Sequence, residues 1–162
     1  YNLKNIINYP ILQKQIALYV TCLIQHISQT LFLSDSLSLQ NITLAGVPMG
    51  GIFLAAYISN YSNLPSILVR DKQKTHGTCK QIEGDYLNKN IIIIEDVITT
   101  GNSVKEFITL IRKAEKVQKS QDETLKDCKV NIISIVSLVN RGNIRFLNTE
   151  YGVIPVKSLI FS

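Results

Sequence analysis

A chain of 162 residues that is 46% hydrophobic and 18% charged has enough apolar material for one domain with a real core, and too little length for two comfortable ones. Its net charge of +5 suits an anionic partner, but the basic residues are scattered and aromatics few, so nucleic acid is a weak choice and a small, highly phosphorylated substrate explains the balance as well. No apolar run approaches the length of a membrane span, nothing resembles a signal peptide, and Cys22, Cys79 and Cys128, widely spaced and without metal-ligand pattern, fit a reducing cytosol with Cys22 in the core.

Pro10 suits a helix start, and Ile11, Leu12, Ile16, Leu18, Tyr19, Leu23 and Ile24 recur at helical spacing, which predicts an amphipathic helix from Ile11 to about Ser28. His26 near its end reads as a surface or capping histidine rather than a ligand. A polar, serine-rich connection over 34–41 leads into a short strand from Ile42 to Ala45. Gly46-Val47-Pro48-Met49-Gly50-Gly51 follows, running into a buried helix over Ile52 to Ile58. Glycines at such a turn permit close backbone approach to a ligand, and a purely structural turn needs them equally.

After a turn at Asn63-Leu64-Pro65, Ser66 to Val69 reads as another strand. The polar stretch from Arg70 to Gly84 then packs Arg70, Lys72, Lys74, His76 and Lys80 between strands. That composition fits either a mobile loop that neutralises a polyanion on closing or an ordinary solvated loop.

Ile91 to Ile94 form a stiff β-branched run without polar alternation, the pattern of a strand buried on both faces of a parallel sheet. Glu95 and Asp96 stand where this strand should end, followed by the small-residue turn Thr99-Thr100-Gly101-Asn102-Ser103 and a helix from Val104, with Ser103 near its cap. Successive amides in the turn and the positive end of the helix suit a phosphomonoester. The carboxylates would repel that phosphate and are better suited to the vicinal hydroxyls of a ribose. A plain strand-to-helix turn with two solvated acids is the alternative.

The helix should continue to about Lys119, with Phe107, Leu110, Ile111 and Ala114 toward the core, and Ser120 to Asp127 should be a surface connection. Asn131 to Val139 reads as the next buried strand, ending at Asn140-Arg141-Gly142. An arginine on the carboxyl edge of a parallel sheet can grip a planar carboxylate with its fork, or merely cap a loop. Val153 to Leu159 is expected to be an edge strand.

The string Ile-Ile-Glu-Asp-Val-Ile-Thr-Thr-Gly-Asn-Ser over 93–103 resembles the phosphoribosyl pyrophosphate signature of type I phosphoribosyltransferases, and among them is most similar to orotate phosphoribosyltransferases. The signature alone says little about the base. The loop order of Arg70, Lys74, His76-Gly77 and Glu83-Gly84 also resembles the orotate enzymes, and Asn2-Leu3-Lys4 with Pro10 resembles their amino end, so the likeness covers essentially the whole chain. It implies an α/β fold with a central, mainly parallel sheet flanked by helices and a flexible catalytic loop. The implied reaction moves phosphoribosyl from phosphoribosyl pyrophosphate to orotate, giving orotidine 5′-monophosphate and pyrophosphate in de novo pyrimidine synthesis. A transferase for a purine base and a non-catalytic nucleotide-binding regulator of the same fold are the alternatives.

Carried over by resemblance, Thr99, Thr100, Gly101, Asn102 and Ser103 would hold the 5′-phosphate, and Glu95 and Asp96 the ribose hydroxyls. Arg70, Lys74 and His76 would bind pyrophosphate, and Lys74, His76 and Asp96 would be the catalytic residues. Met49 and Gly50 occupy the pyrophosphate loop where a tyrosine and a lysine often stand, so that pyrophosphate would rest on backbone amides more than on a charge. Arg141 would contact orotate, with Asn140 replacing the family's aspartate and Asp71 standing where a lysine is usual. The resemblance further implies Mg2+ bound mainly through phosphoribosyl pyrophosphate without a protein metal ligand, a cytoplasmic homodimer whose loop 70–84 reaches the neighbouring active site, and no nucleic-acid or membrane partner. The single domain, 1–162, is expected to be shortened at its amino end, where the family carries a segment that helps hold orotate; it would be a free enzyme or the first half of a bifunctional uridine monophosphate synthase.

Overall fold

The four isoleucines set the centre of the molecule. They lie in β4 (Asn90–Ile98), each at most 1% exposed, with Ile91 and Ile93 in one apolar core and Ile92 and Ile94 in another. This is the pleat of a strand covered on both faces. The computed structural model describes residues 3–31, 41–70 and 81–162, and in it β4 is paired in parallel with β1 (Ile42–Gly46) on one side and β5 (Asn131–Asn140) on the other.

With β2 (Ser66–Val69), β3 (Ile82–Glu83), β6 (Phe146–Thr149) and β7 (Gly152–Phe161), the sheet has seven strands in the order β3-β2-β1-β4-β5-β7-β6. The inner pairs are parallel, and only β2 with β3 and β6 with β7 run antiparallel. The expected mainly parallel sheet is therefore present. Helices α1 (Pro10–Leu31) and α2 (Gly50–Ser62) close one face, and α3 (Asn102–Gln121) closes the other.

The strand order places the site. From β1 the chain passes through α2 to β2, outward in one direction, whereas from β4 it passes through α3 to β5 in the other. The carboxyl ends of β1 and β4 thus flank the point where the winding reverses, the crevice in which open α/β sheets bind ligands. The turns 46–51 and 99–101 both open onto it.

Three expectations are corrected. Cys22 is exposed rather than in the core. Among the described residues of α1 the buried stripe is Gln13, Ile16, Ala17, Val20, Ile24, Ile27 and Ser28, and Cys22 falls outside it, as do Ile11 at 76% and Tyr19 at 62% exposure. The last strand is not at the edge: a hairpin closed at Glu150-Tyr151 folds β6 against β7, so β7 lies between β5 and β6. In that turn, Thr149 Oγ1 donates to Gly152 O at 2.8 Å and accepts from Tyr151 N at 3.1 Å. The serine-rich connection before Asn41 lies outside the described residues. The stretch expected as a connection from Ser120 instead begins inside α3 and includes a short 3-10 turn, Glu123–Leu125.

Candidate functional site

Loop 46–51 is folded flush against the end of β4. Val47 N donates to Ile94 O at 2.9 Å. A Cβ on Gly46 would collide with the Gly51 carbonyl, and one on Gly51 with the Ile94 carbonyl, so only glycine permits this approach. Gly50 is pressed against the Asp96 carboxylate, which occupies the space its Cβ would need. The Pro48–Met49 peptide is cis, and Met49 is 69% exposed at the mouth of the crevice. Met49 caps α2 without a side-chain hydrogen bond, and no acid lies in that helix's first turn.

The two acids differ in environment. Glu95 is buried at 5% exposure, whereas Asp96 is half-buried. Burial first, then hydrogen bonding with the Asp96 side chain and the repulsion of its charge, push the Glu95 carboxyl up to about 8 from an ordinary 4.5, against a smaller opposing contribution from its backbone hydrogen bond. In that bond, Asp96 N donates to Glu95 Oε1 at 3.0 Å, while Val97 N donates to Asp96 Oδ1 at 2.8 Å. Burial and the neighbouring acid thus favour the protonated form of Glu95, which can donate as well as accept a hydrogen bond.

Beyond β4, Thr99 and Thr100 are exposed and Gly101 is the N-cap of α3 at φ 79°. Its left-handed conformation, and the contact a Cβ would make with Leu147, require glycine. Gly101 supplies no side-chain cap and the first turn of α3 contains no acid; Asn102 N donates to Thr100 Oγ1 at 3.4 Å, and the helix brings its positive end to this turn. Asn102 and Ser103 are exposed on that turn. Such an end suits a phosphate.

Arg141 follows β5. Its backbone N–H donates to Ile98 O at 2.9 Å, and Gly142 packs against the Thr99 carbonyl, leaving no room for a Cβ. Thus the 140–144 loop touches the turn that follows β4. The Arg141 side chain is exposed and makes no hydrogen bond or ion pair among the described residues. At the far end of the crevice, Arg70 N donates to Gln81 O at 2.9 Å, and the Arg70 guanidinium reaches Glu83 Oε1 at 3.4 Å. Asp71, Lys74 and His76 lie outside the described residues.

Of the expected residues that are described, Met49 and Gly50 after β1, Glu95 and Asp96 on β4, residues 99–103 after it, and Arg141 after β5 fall into one neighbourhood at the carboxyl edge, while Arg70, just past β2, is tied instead to Gln81 and Glu83. Among the described residues, no group of three or more His, Cys, Asp or Glu could hold a metal ion. A magnesium ion carried on substrate oxygens is compatible with this donor set, since that ion is commonly bound through substrate phosphates rather than an all-protein cage.

The family model for the phosphoribosyl transferase domain matches residues 13–143. The chain belongs to the phosphoribosyltransferase family. An orotate phosphoribosyltransferase of Nocardioides sp. is 40% identical over 72 residues, which cover 44% of this chain and 40% of that protein. Among solved structures, the Leishmania donovani UMP synthase aligns with a TM-score of 0.63 at 21% identity, covering 99% of this chain and 29% of that one. Adenine phosphoribosyl transferase from Trypanosoma brucei aligns with a TM-score of 0.61 at 17% identity, covering 99% and 68%. These structural likenesses support a type I phosphoribosyltransferase fold. The alignment with the Nocardioides relative spans less than half of that protein's length.

Several contacts around this crevice are not legible in the sequence. Leu147, on the unexpected β6, packs where it excludes a side chain at position 101. Glu83 faces Arg70 across the β2–β3 ribbon, a pairing that depends on the antiparallel register. Asn140, read only as a replaced aspartate, is fully buried and bonded twice to the backbone of Ile144. Its position at the end of an apolar strand, just before Arg-Gly, was the available signal.

Proposed function

We propose that this phosphoribosyltransferase transfers phosphoribosyl from phosphoribosyl pyrophosphate to orotate, giving orotidine 5′-monophosphate and pyrophosphate. The observation that carries the reading is the single crevice at the reversal of strand order, where the amino end of α3, the Glu95/Asp96 pair and the glycine-rich loop after β1 converge. These are complementary to a phosphate, a vicinal diol and a pyrophosphate arranged around one ribose. Orotate is favoured as the acceptor by the exposed Arg141 beside the phosphate turn and by the named orotate enzymes among the relatives.

Displacement at the anomeric carbon expels pyrophosphate while positive charge builds on the ribose ring. The protein's work is positioning and charge stabilisation, with no side-chain nucleophile. Residues 99–103 hold the 5′-phosphate by backbone amides and hydroxyls. Asp96 accepts from a ribose hydroxyl, and protonated Glu95 fixes the orientation of that pair. Met49 and Gly50 present amides to the pyrophosphate, and Arg70, Lys74 and His76 supply the cations that accept the leaving charge. Arg141 orients the base carboxylate. Magnesium bound to pyrophosphate and ribose oxygens supplies further charge neutralisation. Loop 70–84 excludes water from the reacting centre and, in a homodimer, serves the site of the second copy.

The purified protein is assayed by the loss of orotate absorbance with phosphoribosyl pyrophosphate and magnesium present. Orotate consumption supports the reading. Consumption of adenine or hypoxanthine with orotate untouched replaces it with a purine transferase, and consumption of no base favours a non-catalytic regulator.

A further inference from the structure

Asn140 ends β5 with no solvent exposure, yet it is polar and fully engaged. Its Nδ2 donates to Ile144 O at 2.8 Å, and its Oδ1 accepts from Ile144 N at 3.0 Å. A planar amide can donate and accept to one backbone unit at once, whereas an ionised carboxylate could only accept. The pair closes residues 140–144 into a loop in which Asn143 takes a left-handed conformation at φ 50°. That loop is also tied to the phosphate turn, through Arg141 N to Ile98 O at 2.9 Å and through Gly142 against the Thr99 carbonyl. The main chain at Arg141 is therefore held from both sides while its guanidinium stays unpaired among the described residues.

We infer that Asn140 is a positioning residue for the base site: its double hydrogen bond to Ile144 fixes Arg141 at a set distance from the 99–103 phosphate turn, and so fixes the span between the carboxylate of bound orotate and the 5′-phosphate of bound phosphoribosyl pyrophosphate. This rests on the proposed reading of Arg141 as the orotate contact. Asn140 itself touches no substrate. Its loss frees Arg141 without disturbing the crevice between β1 and β4, where phosphoribosyl pyrophosphate is held.

The test is steady-state kinetics of the whole chain, wild type against Asn140→Ala and Asn140→Asp, with both substrates varied. Asn140→Ala loses both hydrogen bonds and is expected to raise the KM for orotate by about tenfold. Asn140→Asp keeps the acceptor for Ile144 N and falls between the two. The KM for phosphoribosyl pyrophosphate stays within about twofold of wild type in each, since the phosphate turn retains its own ties. Circular dichroism melts identify the variants that fold at the assay temperature, and Asn140→Asp, which keeps one of the two bonds, carries the comparison if Asn140→Ala does not. An unchanged orotate KM in a folded variant, or a parallel rise in both KM values, overturns the inference while leaving wild-type orotate turnover intact. A wild type that leaves orotate untouched overturns the base assignment first, and this inference with it.

Discussion

Glu95 and Asp96 are neighbours in the chain with different surroundings. Burial and the adjacent acid raise the Glu95 carboxyl to about 8, so the folded protein holds a proton that the unfolded chain releases near 4.5. Between those two values the folded state binds more protons, so this residue's contribution to stability falls as pH rises through the window and is fully lost above about 8. Thermal melts of the ligand-free protein should therefore decline from pH 5 to pH 8 more steeply in wild type than in Glu95→Gln; equal slopes would mean that Glu95 is ionised throughout. Gly50 offers a second test. Any side chain there must displace the Asp96 carboxylate. Gly50→Ala is expected to lower turnover on the order of 100-fold, the cost of moving a catalytic group by about 1 Å, and initial-rate measurements at saturating substrate would read it.

At the scale of elements, α3 supports the sheet and, in the proposed reading, offers its amino end to the phosphate. Its amino end depends on the left-handed Gly101 against Leu147, so Gly101→Ala should cost roughly 1–2 kcal/mol from backbone conformation alone. The same variant should weaken binding of ribose 5-phosphate, which calorimetry would detect; a loss of stability without a loss of affinity would separate the turn from the phosphate. Further along, Glu115 ties α3 to the start of β5. It pairs with Arg112 and with Lys119, both at 3.0 Å, and accepts from Val130 N at 3.2 Å. Burial works to raise its carboxyl, but these hydrogen bonds outweigh it and hold the group below the usual carboxylate range. Glu115→Ala would leave Lys119 and the buried Val130 amide without this acceptor, while Arg112 keeps its bond to the Val130 carbonyl, and is expected to cost about 3 kcal/mol in a urea titration.

The elements were most legible where one physical rule acted alone. Ile91 to Ile94 read as a strand covered on both faces and are one, and the Glu95-to-Ser103 stretch read as a strand end, a turn and a helix start, which it is. Helix α1 was readable as a helix but not in its buried stripe, because apolar residues surround it and its packing partners decide which side is covered; hence Cys22 outside and Val20 inside. The β6 strand was hidden for a related reason. Phe-Leu-Asn-Thr is too short to carry a period, and only the two-residue turn before Gly152 joins it to β7. Asn140 was visible as a residue, but its double bond needs the loop geometry that β5 and Ile144 create together.

For the whole molecule, the decisive feature is the reversal of winding between β1 and β4, which brings distant segments of the chain to one crevice. Loop 46–51, the two acids and the start of α3 are each ordinary turns or strand ends when taken singly. Together they line one crevice, to which the proposed reading assigns a phosphorylated sugar. The most direct test is calorimetric titration of phosphoribosyl pyrophosphate, with magnesium present, into wild type and Asp96→Asn. The account predicts saturable binding to wild type and an affinity weakened by about tenfold in the variant, consistent with the loss of a charge-assisted hydrogen bond. Equal affinities, or no binding to wild type, would contradict it.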